Sequence, residues 1–201
     1  MKNIPSAPVI LLALAGLVSL TGCTTPVEIV DTYHDTGPAV AGLDYRDFTS
    51  AAGKMVSGMI ASGAIDNPKG GRYVLAINRV ANRTMQDIDT DQLVKKIRVD
   101  LLKSGKVIVT TAVSGAGAED TMTRNVRELA NDDLFDKNTV AKKGTVIAPD
   151  LSLTGKIIER KIKIDRSRQQ IEYVFQLSLT QLSTGLAVWE DEAVIVKRAD
   201  R

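Results

Sequence analysis

The spacing of hydrophobic residues predicts three helices in the first two-thirds of the chain. The first covers residues 44–62, and the second covers Asp91–Ser104 and ends at Gly105, because glycine readily adopts the left-handed conformation found after helices. The third covers Glu119–Asn131. The apolar residues that define the buried faces are Phe48, Ala52, Met55 and Met59 in the first helix, Leu93, Ile97, Leu101 and Leu102 in the second, and Met122, Val126, Leu129 and Ala130 in the third.

The last third of the chain alternates between apolar and polar residues, a pattern typical of β-strands. Helices and strands alternate first, and hairpin-linked strands follow. The predicted fold class is therefore α+β, with a mostly antiparallel sheet of about four to five strands and helices packed on it. Residues 43–201 form this single domain. Its strands are predicted over residues 72–80, 106–111, 151–164, 171–181 and 186–197.

A separate hydrophobic segment, Val9–Val18, precedes Cys23, the only cysteine. About a dozen apolar residues are too few to cross a bilayer, and with a preceding positive charge they are typical of a secretory signal. Leu20-Thr21-Gly22-Cys23 resembles the bacterial lipobox, in which the cysteine is acylated after cleavage. We expect a lipoprotein signal peptide at residues 1–22, lipid attachment at Cys23 and a tether over residues 23–42. An ordinary secretory signal with a chance cysteine is the alternative.

The overall composition argues against several classes of protein. A formal net charge of +2 over 201 residues, with both signs well mixed, predicts no nucleic-acid partner. Once Cys23 is acylated, no thiol remains for a disulfide or a cysteine-ligated metal. The single histidine, His34, lies in the predicted tether, which removes most mechanisms that depend on histidine. We expect neither a metal nor a cofactor.

The other candidate chemical sites do not form an enzyme signature. Gly115-Ala116-Gly117 lacks the lysine and the further glycine of phosphate-binding loops. Acidic neighbours at Asp132-Asp133 and at Glu190-Asp191-Glu192 point in different directions from a helix or strand, so they do not face one substrate. The protein is predicted to be noncatalytic.

Two further groups of residues each have two interpretations. Asn82-Arg83-Thr84 follows the first strand and is either part of a partner contact, through the donors of Arg83, or a local turn held by Asn82 and Thr84. A basic hairpin is either a contact for an anionic surface or a charged edge that prevents sheet-to-sheet aggregation. The basic residues of this hairpin are Lys156, Arg160, Lys161, Lys163, Arg166 and Arg168.

One combination of features resembles a known family. A lipobox, a tether and a short helix are followed by the strand Tyr73–Val80, which continues into Asn82-Arg83-Thr84. This arrangement resembles the LpoB family. The similarity continues through Asp91–Ser104 and Gly105-Lys106-Val107, and returns in Leu177–Glu190, where a hairpin turn leads to a tryptophan.

The resemblance implies a function by contact. It implies an outer-membrane lipoprotein, held by its N-terminal lipid with the domain facing the periplasm, that binds and activates a class A penicillin-binding protein and so regulates peptidoglycan synthesis. Such an activator can be a monomer. We expect Asn82, Arg83 and Thr84 to form part of its partner contact, because this loop leaves the end of a strand and carries the donors of Arg83. A secretion or envelope-assembly lipoprotein similar to the curli channel is the alternative, because such proteins share a similar strand–Asn-x-Thr–helix start.

Overall fold

The structure is a computed structural model that describes residues 28–32, 34–113 and 120–200. Within these ranges, no helix is both long enough and apolar enough to cross a membrane. A short 3-10 turn follows the third helix at Leu129–Asn131. The elements are, in chain order, α1 (Tyr45–Ala61), β1 (Tyr73–Arg83), α2 (Asp91–Lys103), β2 (Val107–Val109), α3 (Met122–Glu128), β3 (Leu151–Lys163), β4 (Arg168–Gln181) and β5 (Leu186–Asp200).

The chain divides into two units, one up to Thr36 and one from Gly37 onward. In the first unit, His34 Nδ1 hydrogen-bonds to Asp31 Oδ2 at 2.8 Å. The predicted signal peptide and Cys23 lie outside the described residues, so the signal, the lipid site and the extent of the tether stay predictions. All helices and strands of the described residues lie in the second unit, which is described below.

The five strands form one mixed sheet in the order β2-β1-β3-β4-β5. β1 runs parallel to β2 and β3, because helix-containing connections lead into and out of β2. The pairs β3–β4 and β4–β5 are antiparallel hairpins and are much longer than the parallel pairs. The predicted α+β fold, with a mostly antiparallel sheet and helices packed on it, is confirmed.

The hydrophobic core lies between one face of this sheet and the helices α1 and α2. Phe48 on α1 meets Phe175 on β4 edge to face, with ring centroids 6.0 Å apart. The opposite face is open along β5, where Val194 is 48% exposed. The alternation predicted for β4 is confirmed, because one face of the strand is buried throughout: Ile171, Tyr173, Phe175, Leu177 and Leu179.

A capping box fixes the start of α1. The Asp44 side chain accepts hydrogen bonds from the N–H groups of Arg46 and Asp47, and Asp47 Oδ2 accepts one from the Asp44 N–H at 2.9 Å. Burial opposes ionisation of Asp44, but the hydrogen bonds from the Arg46 side chain and these N–H groups outweigh it and lower the pKa of Asp44. The carboxylate that caps α1 is therefore charged at neutral pH.

β1 extends beyond its predicted end at Val80 and stops at Arg83. A register shift between Ile77 and Val80 lets its pairing with β3 continue as far as Ile158. At this irregularity the buried Thr90 hydroxyl donates to the Val80 carbonyl at 2.8 Å, so the backbone group keeps a partner. The prediction that the strand ends at Val80 is wrong for this reason.

The predicted buried face of α3 is wrong, and that of α2 is confirmed at Leu93, Ile97 and Leu101 but wrong at Leu102. α3 begins at Met122 rather than Glu119 and buries none of its residues, and Met122 itself is 57% exposed. In α2, Leu102 is 48% exposed although its neighbour Leu101 is fully buried. Successive helical residues lie about 100° apart, so only one of the two leucines can face the sheet.

Candidate binding surface

Asn82 and Thr84 hold a tight turn at the end of β1. The Asn82 Oδ1 atom accepts hydrogen bonds from the Thr84 N–H at 2.9 Å and the Thr84 hydroxyl at 2.8 Å. Asn82 Nδ2 donates to the Gln86 carbonyl at 2.8 Å, which closes the turn. The polar groups of Asn82 and Thr84 thus stabilise a local turn, as the second of the two interpretations from sequence predicted.

Arg83 lies between these two residues and is used differently. It is the last residue of β1, opposite Ile158 of β3, and it is exposed. Because side chains alternate along a strand, Arg83 projects from the sheet face opposite to that of its neighbour Asn82. The structure brings the three predicted residues together but separates their roles. Their contact with a partner stays a prediction, and Arg83 is the member placed to make it.

A groove of about 680 Å³ lies on the open face of the sheet, beside Arg83. On the β1 and β3 side its wall carries the cationic side chains of Arg83 and Lys156. On the β5 side its wall carries the carboxylates of Glu190 and Glu192. The groove is therefore polarised, with positive charge on one wall and negative charge on the other. We call this feature the polarised groove.

The acidic wall is held in place by the central strand. Ser178 Oγ donates to Glu190 Oε1 at 2.8 Å, and Gln176 Nε2 donates to Glu192 Oε2 at 3.3 Å. Both donors are on β4, directly opposite the carboxylates they bind. Glu190 and Glu192 therefore share the open face, and each has its own partner on β4. Asp191 between them lies on the face toward α1, where its Oδ2 would be 2.9 Å from a Cβ at Gly58. The expectation that this acidic run points in different directions thus holds for Asp191 and is wrong for Glu190 and Glu192.

A row of apolar side chains borders the polarised groove. Ile158, Val174 and Val194 are directly opposite one another on β3, β4 and β5, and Arg83 occupies the same row on β1. Val194 is 48% exposed, and the other two apolar residues are partly exposed. An apolar strip flanked by charged and polar side chains is the usual composition of a protein–protein contact.

The basic hairpin lies at the end of β3 and β4. Arg160 is 3.6 Å from Glu172, Lys161 is 3.0 Å from Glu159, and Arg168 is 2.7 Å from Asp165. Residues 159–163 extend beyond the last residue of β1 that pairs with β3, which leaves this part of β3 at an edge. The charges here suit the protection of an edge strand, one of the two interpretations that the sequence left open.

The other features considered from sequence do not add to the site. Gly115-Ala116-Gly117 and Cys23 lie outside the described residues. In the part of the chain that the structure describes, no three His, Cys, Asp or Glu side chains come together to hold a metal ion. Asp133 is an exposed residue that pairs with Lys137 at 3.1 Å.

Gln86 and Tyr173 are site residues that sequence reasoning missed. Gln86 Nε2 donates to the Tyr173 hydroxyl, which places β4 in contact with the turn that follows β1. Burial, with a smaller contribution from the nearby Glu159 charge, raises the pKa of Tyr173, so its hydroxyl is protonated at neutral pH. The two residues are 87 positions apart, and no periodicity in the sequence connects them.

The residues from Gly37 onward form a small α+β domain with one open sheet face that carries the polarised groove. The family model described as peptidoglycan-synthase activator LpoB matches residues 47–195, from the first turn of α1 into β5. The chain therefore belongs to the LpoB family, and the predicted family is confirmed. Activation of a synthase is a regulatory rather than a catalytic role, which is consistent with the prediction of a noncatalytic protein.

Several solved structures are similar to this chain. The LpoB C-terminal domain from Escherichia coli is 15% identical, covers 75% of this chain and 99% of its own, and gives a TM-score of 0.44. The corresponding domain from Salmonella enterica is 16% identical, covers 74% of this chain and 98% of its own, and gives a TM-score of 0.43. The NMR structure of E. coli LpoB is 17% identical, covers 99% of this chain and 85% of its own, and gives a TM-score of 0.43. No curated protein matches the chain.

Proposed function

We propose that this protein is a lipid-anchored activator that binds a class A penicillin-binding protein and stimulates its synthesis of peptidoglycan. The family match over residues 47–195 carries this proposal, because the matched family is described as an activator of peptidoglycan synthases. The chemistry of glycan polymerisation and peptide crosslinking belongs to the partner. This chain contributes a surface that favours the active form of the partner.

The polarised groove and its apolar row are the contact surface in this proposal. Arg83 lies where the apolar row meets the basic wall of the groove. It therefore has apolar side chains beside it and is exposed on the side where a partner would bind. An arginine in such a position can bind a carboxylate through two parallel hydrogen bonds. We expect a carboxylate of the penicillin-binding protein to meet Arg83 and a basic group to face Glu190 or Glu192.

The proposal places the acylated Cys23 in the outer membrane with the domain in the periplasm. About 14 residues from Cys23 to Thr36 precede the folded unit. Fully extended, they reach roughly 50 Å. The partner, rooted in the inner membrane, must therefore extend outward to meet the domain.

Binding of the purified protein to the class A penicillin-binding proteins of its host tests the contact. We expect Arg83→Glu to weaken binding about tenfold or more, because charge reversal replaces attraction with repulsion at the contact. Lys95→Glu is the matched control, since Lys95 is exposed on α2, away from the open sheet face. Equal weakening by both variants, or none by Arg83→Glu, contradicts the proposed surface. No binding by the unaltered protein to any of these enzymes contradicts the activator role.

Fractionation of cells that carry Cys23→Ala tests the anchor separately. We expect the unaltered protein in the outer-membrane fraction, because three acyl chains hold far more strongly than one. The variant is expected to be unprocessed or released from that membrane. Recovery of the unaltered protein, unmodified, from the soluble periplasm contradicts lipid attachment.

A further inference from the structure

The segment Gly37–Leu43, immediately before α1, is hydrogen-bonded to side chains from distant parts of the sheet. We infer that this segment, here called the strap, positions the turn Asn82–Gln86 and thereby the Arg83 side of the polarised groove. Gln86 and Tyr173 are the positioning residues that connect strap and turn. The effect on partner affinity rests on the proposed function, whereas the positioning itself does not.

Three hydrogen bonds attach the strap to the domain near its C-terminal end. The Tyr173 hydroxyl donates to the Ala41 carbonyl at 3.2 Å, and Lys197 Nζ donates to the Gly42 carbonyl at 2.5 Å. The Leu43 N–H donates to Gln86 Oε1 at 3.1 Å. Two strands and the turn after β1 therefore hold three consecutive residues of the strap.

The start of the strap is held by α1. The Arg46 guanidinium donates to the carbonyls of Gly37 at 2.9 Å and Pro38 at 3.0 Å. The same guanidinium binds Asp44, the capping residue of α1, at 2.8 Å. The strap is therefore fixed at both ends, and its path across the domain is defined by side chains that are themselves anchored.

Gln86 makes the connection from the strap to the turn. Its amide oxygen accepts from the Leu43 N–H, its amide nitrogen donates to the Tyr173 hydroxyl, and its carbonyl accepts from Asn82. Gly42 lies against this amide, because a Cβ at residue 42 would be 3.1 Å from Gln86 Nε2. A displacement of the strap must therefore move Gln86 or leave its hydrogen bonds unmade.

A second attachment determines which way the turn can move. The Met85 N–H donates to Glu159 Oε2 at 2.8 Å, and the Glu159 side chain is only 3% exposed. The turn is thus held to β3 at Met85, and at Gln86 to both the strap and Tyr173 of β4. Loss of the Gln86 contacts leaves Met85 as the attachment of residues 84–86, while Asn82 and Arg83 keep their pairing with Ile157 and Ile158 of β3. Residues 84–86 can then move beside Arg83.

Amide hydrogen exchange in the full chain tests this connection without a partner. Tyr173→Phe removes the hydroxyl and keeps the buried ring. We expect exchange at Leu43 and at Thr84–Gln86 to become about tenfold faster, while exchange in the core of α2 is unchanged. Tyr73→Phe, at the opposite end of β1 from the turn, is the matched control and should leave these amides unaffected.

Gln86→Ala provides a second test at a partly exposed position, where folding is not at risk. Faster exchange at Leu43 together with Thr84–Gln86 in both variants supports the inference. The inference is overturned if exchange becomes faster at Leu43 but stays unchanged at Thr84–Gln86. It is also overturned if the exchange rates of the α2 amides increase to the same extent. The same variants should weaken binding of a class A penicillin-binding protein several-fold. If the unaltered protein binds no such enzyme but the expected exchange is observed, the proposed function is contradicted while the inference that the strap positions the turn is supported.

Discussion

Lys197 on β5 and Asp47 on α1 form an ion pair that is almost enclosed by the domain. Their side chains are 11% and 12% exposed, and Lys197 Nζ lies 2.5 Å from Asp47 Oδ2. Asp47 also belongs to the capping box at the start of α1. One pair therefore joins the first helix to the last strand, across 150 positions of sequence.

Removal of the lysine charge from this pair should destabilise the domain. Lys197→Met keeps an unbranched apolar side chain but leaves the Asp47 carboxylate partly buried without its cation. We expect the free energy of unfolding to fall by about 3 kcal/mol, as measured by denaturant titration. Lys95→Met, at an exposed position of α2, is the control and should change it by less than about 0.5 kcal/mol. Similar losses for the two variants would show that the pair contributes nothing particular.

Gly155 allows β3 and the side chains of β4 to approach closely. A Cβ at this position would lie 2.5 Å from the Gln176 carbonyl oxygen and 2.6 Å from Leu177 Cδ2. Because backbone cannot move aside cheaply, Gly155→Ala should lower the free energy of unfolding by about 1–3 kcal/mol. Thermal or chemical denaturation of the purified domain measures the difference.

Gly53→Ala is the natural comparison, because a Cβ at Gly53 would meet nothing within 4 Å. Alanine in the middle of α1 should stabilise the protein by about 0.5–1 kcal/mol relative to glycine. The two glycine-to-alanine changes are thus expected to have opposite signs. A stabilising Gly155→Ala would mean that the sheet is more loosely packed than the structure shows.

The pKa of Asp44 gives a prediction for acid conditions. Burial opposes its charge, but hydrogen bonds from Arg46 and Asp47 prevail and lower the pKa in the folded state. In the unfolded chain the pKa of an aspartate is about 4. Because the pKa of Asp44 is lower in the folded state, Asp44 stabilises the fold at pH values above about 4, and this stabilisation is lost as the pH falls through the folded-state pKa. Asp44→Ala should therefore cost about 1 kcal/mol at pH 7, with the difference narrowing below about pH 4. A difference that stays constant down to pH 2 would contradict this assignment.

Elements with a strong local pattern were predictable from sequence. The alternation through β4 identifies the buried face from Ile171 to Leu179, and Gly105 ends α2 with a φ of 69°. The burial of α3 was not predictable in the same way, because Met122 and Val126 have helical spacing but are exposed in the described structure. Periodicity reveals which side of a helix is apolar and does not reveal whether anything packs on it.

The candidate site likewise has one part that the sequence indicates and another part that only the fold brings together. Asn82-Arg83-Thr84 stands out in the sequence because it follows a strand and contains turn-forming residues. The groove beside it depends on Lys156 and Glu192, which lie on the same face only because β3, β4 and β5 pair in this register. The attachment of the strap depends on Gln86, whose long-range hydrogen bonds have no local sequence signal.

Stimulation of glycan synthesis tests the proposed function most directly. The purified protein is added to each class A penicillin-binding protein of the host, and polymerisation of the lipid-linked precursor is followed over time. We predict that the unaltered protein and Lys95→Glu raise the rate with at least one of these enzymes, whereas Arg83→Glu, with its fold intact, does not. An unchanged rate with every class A enzyme of the host would contradict the account.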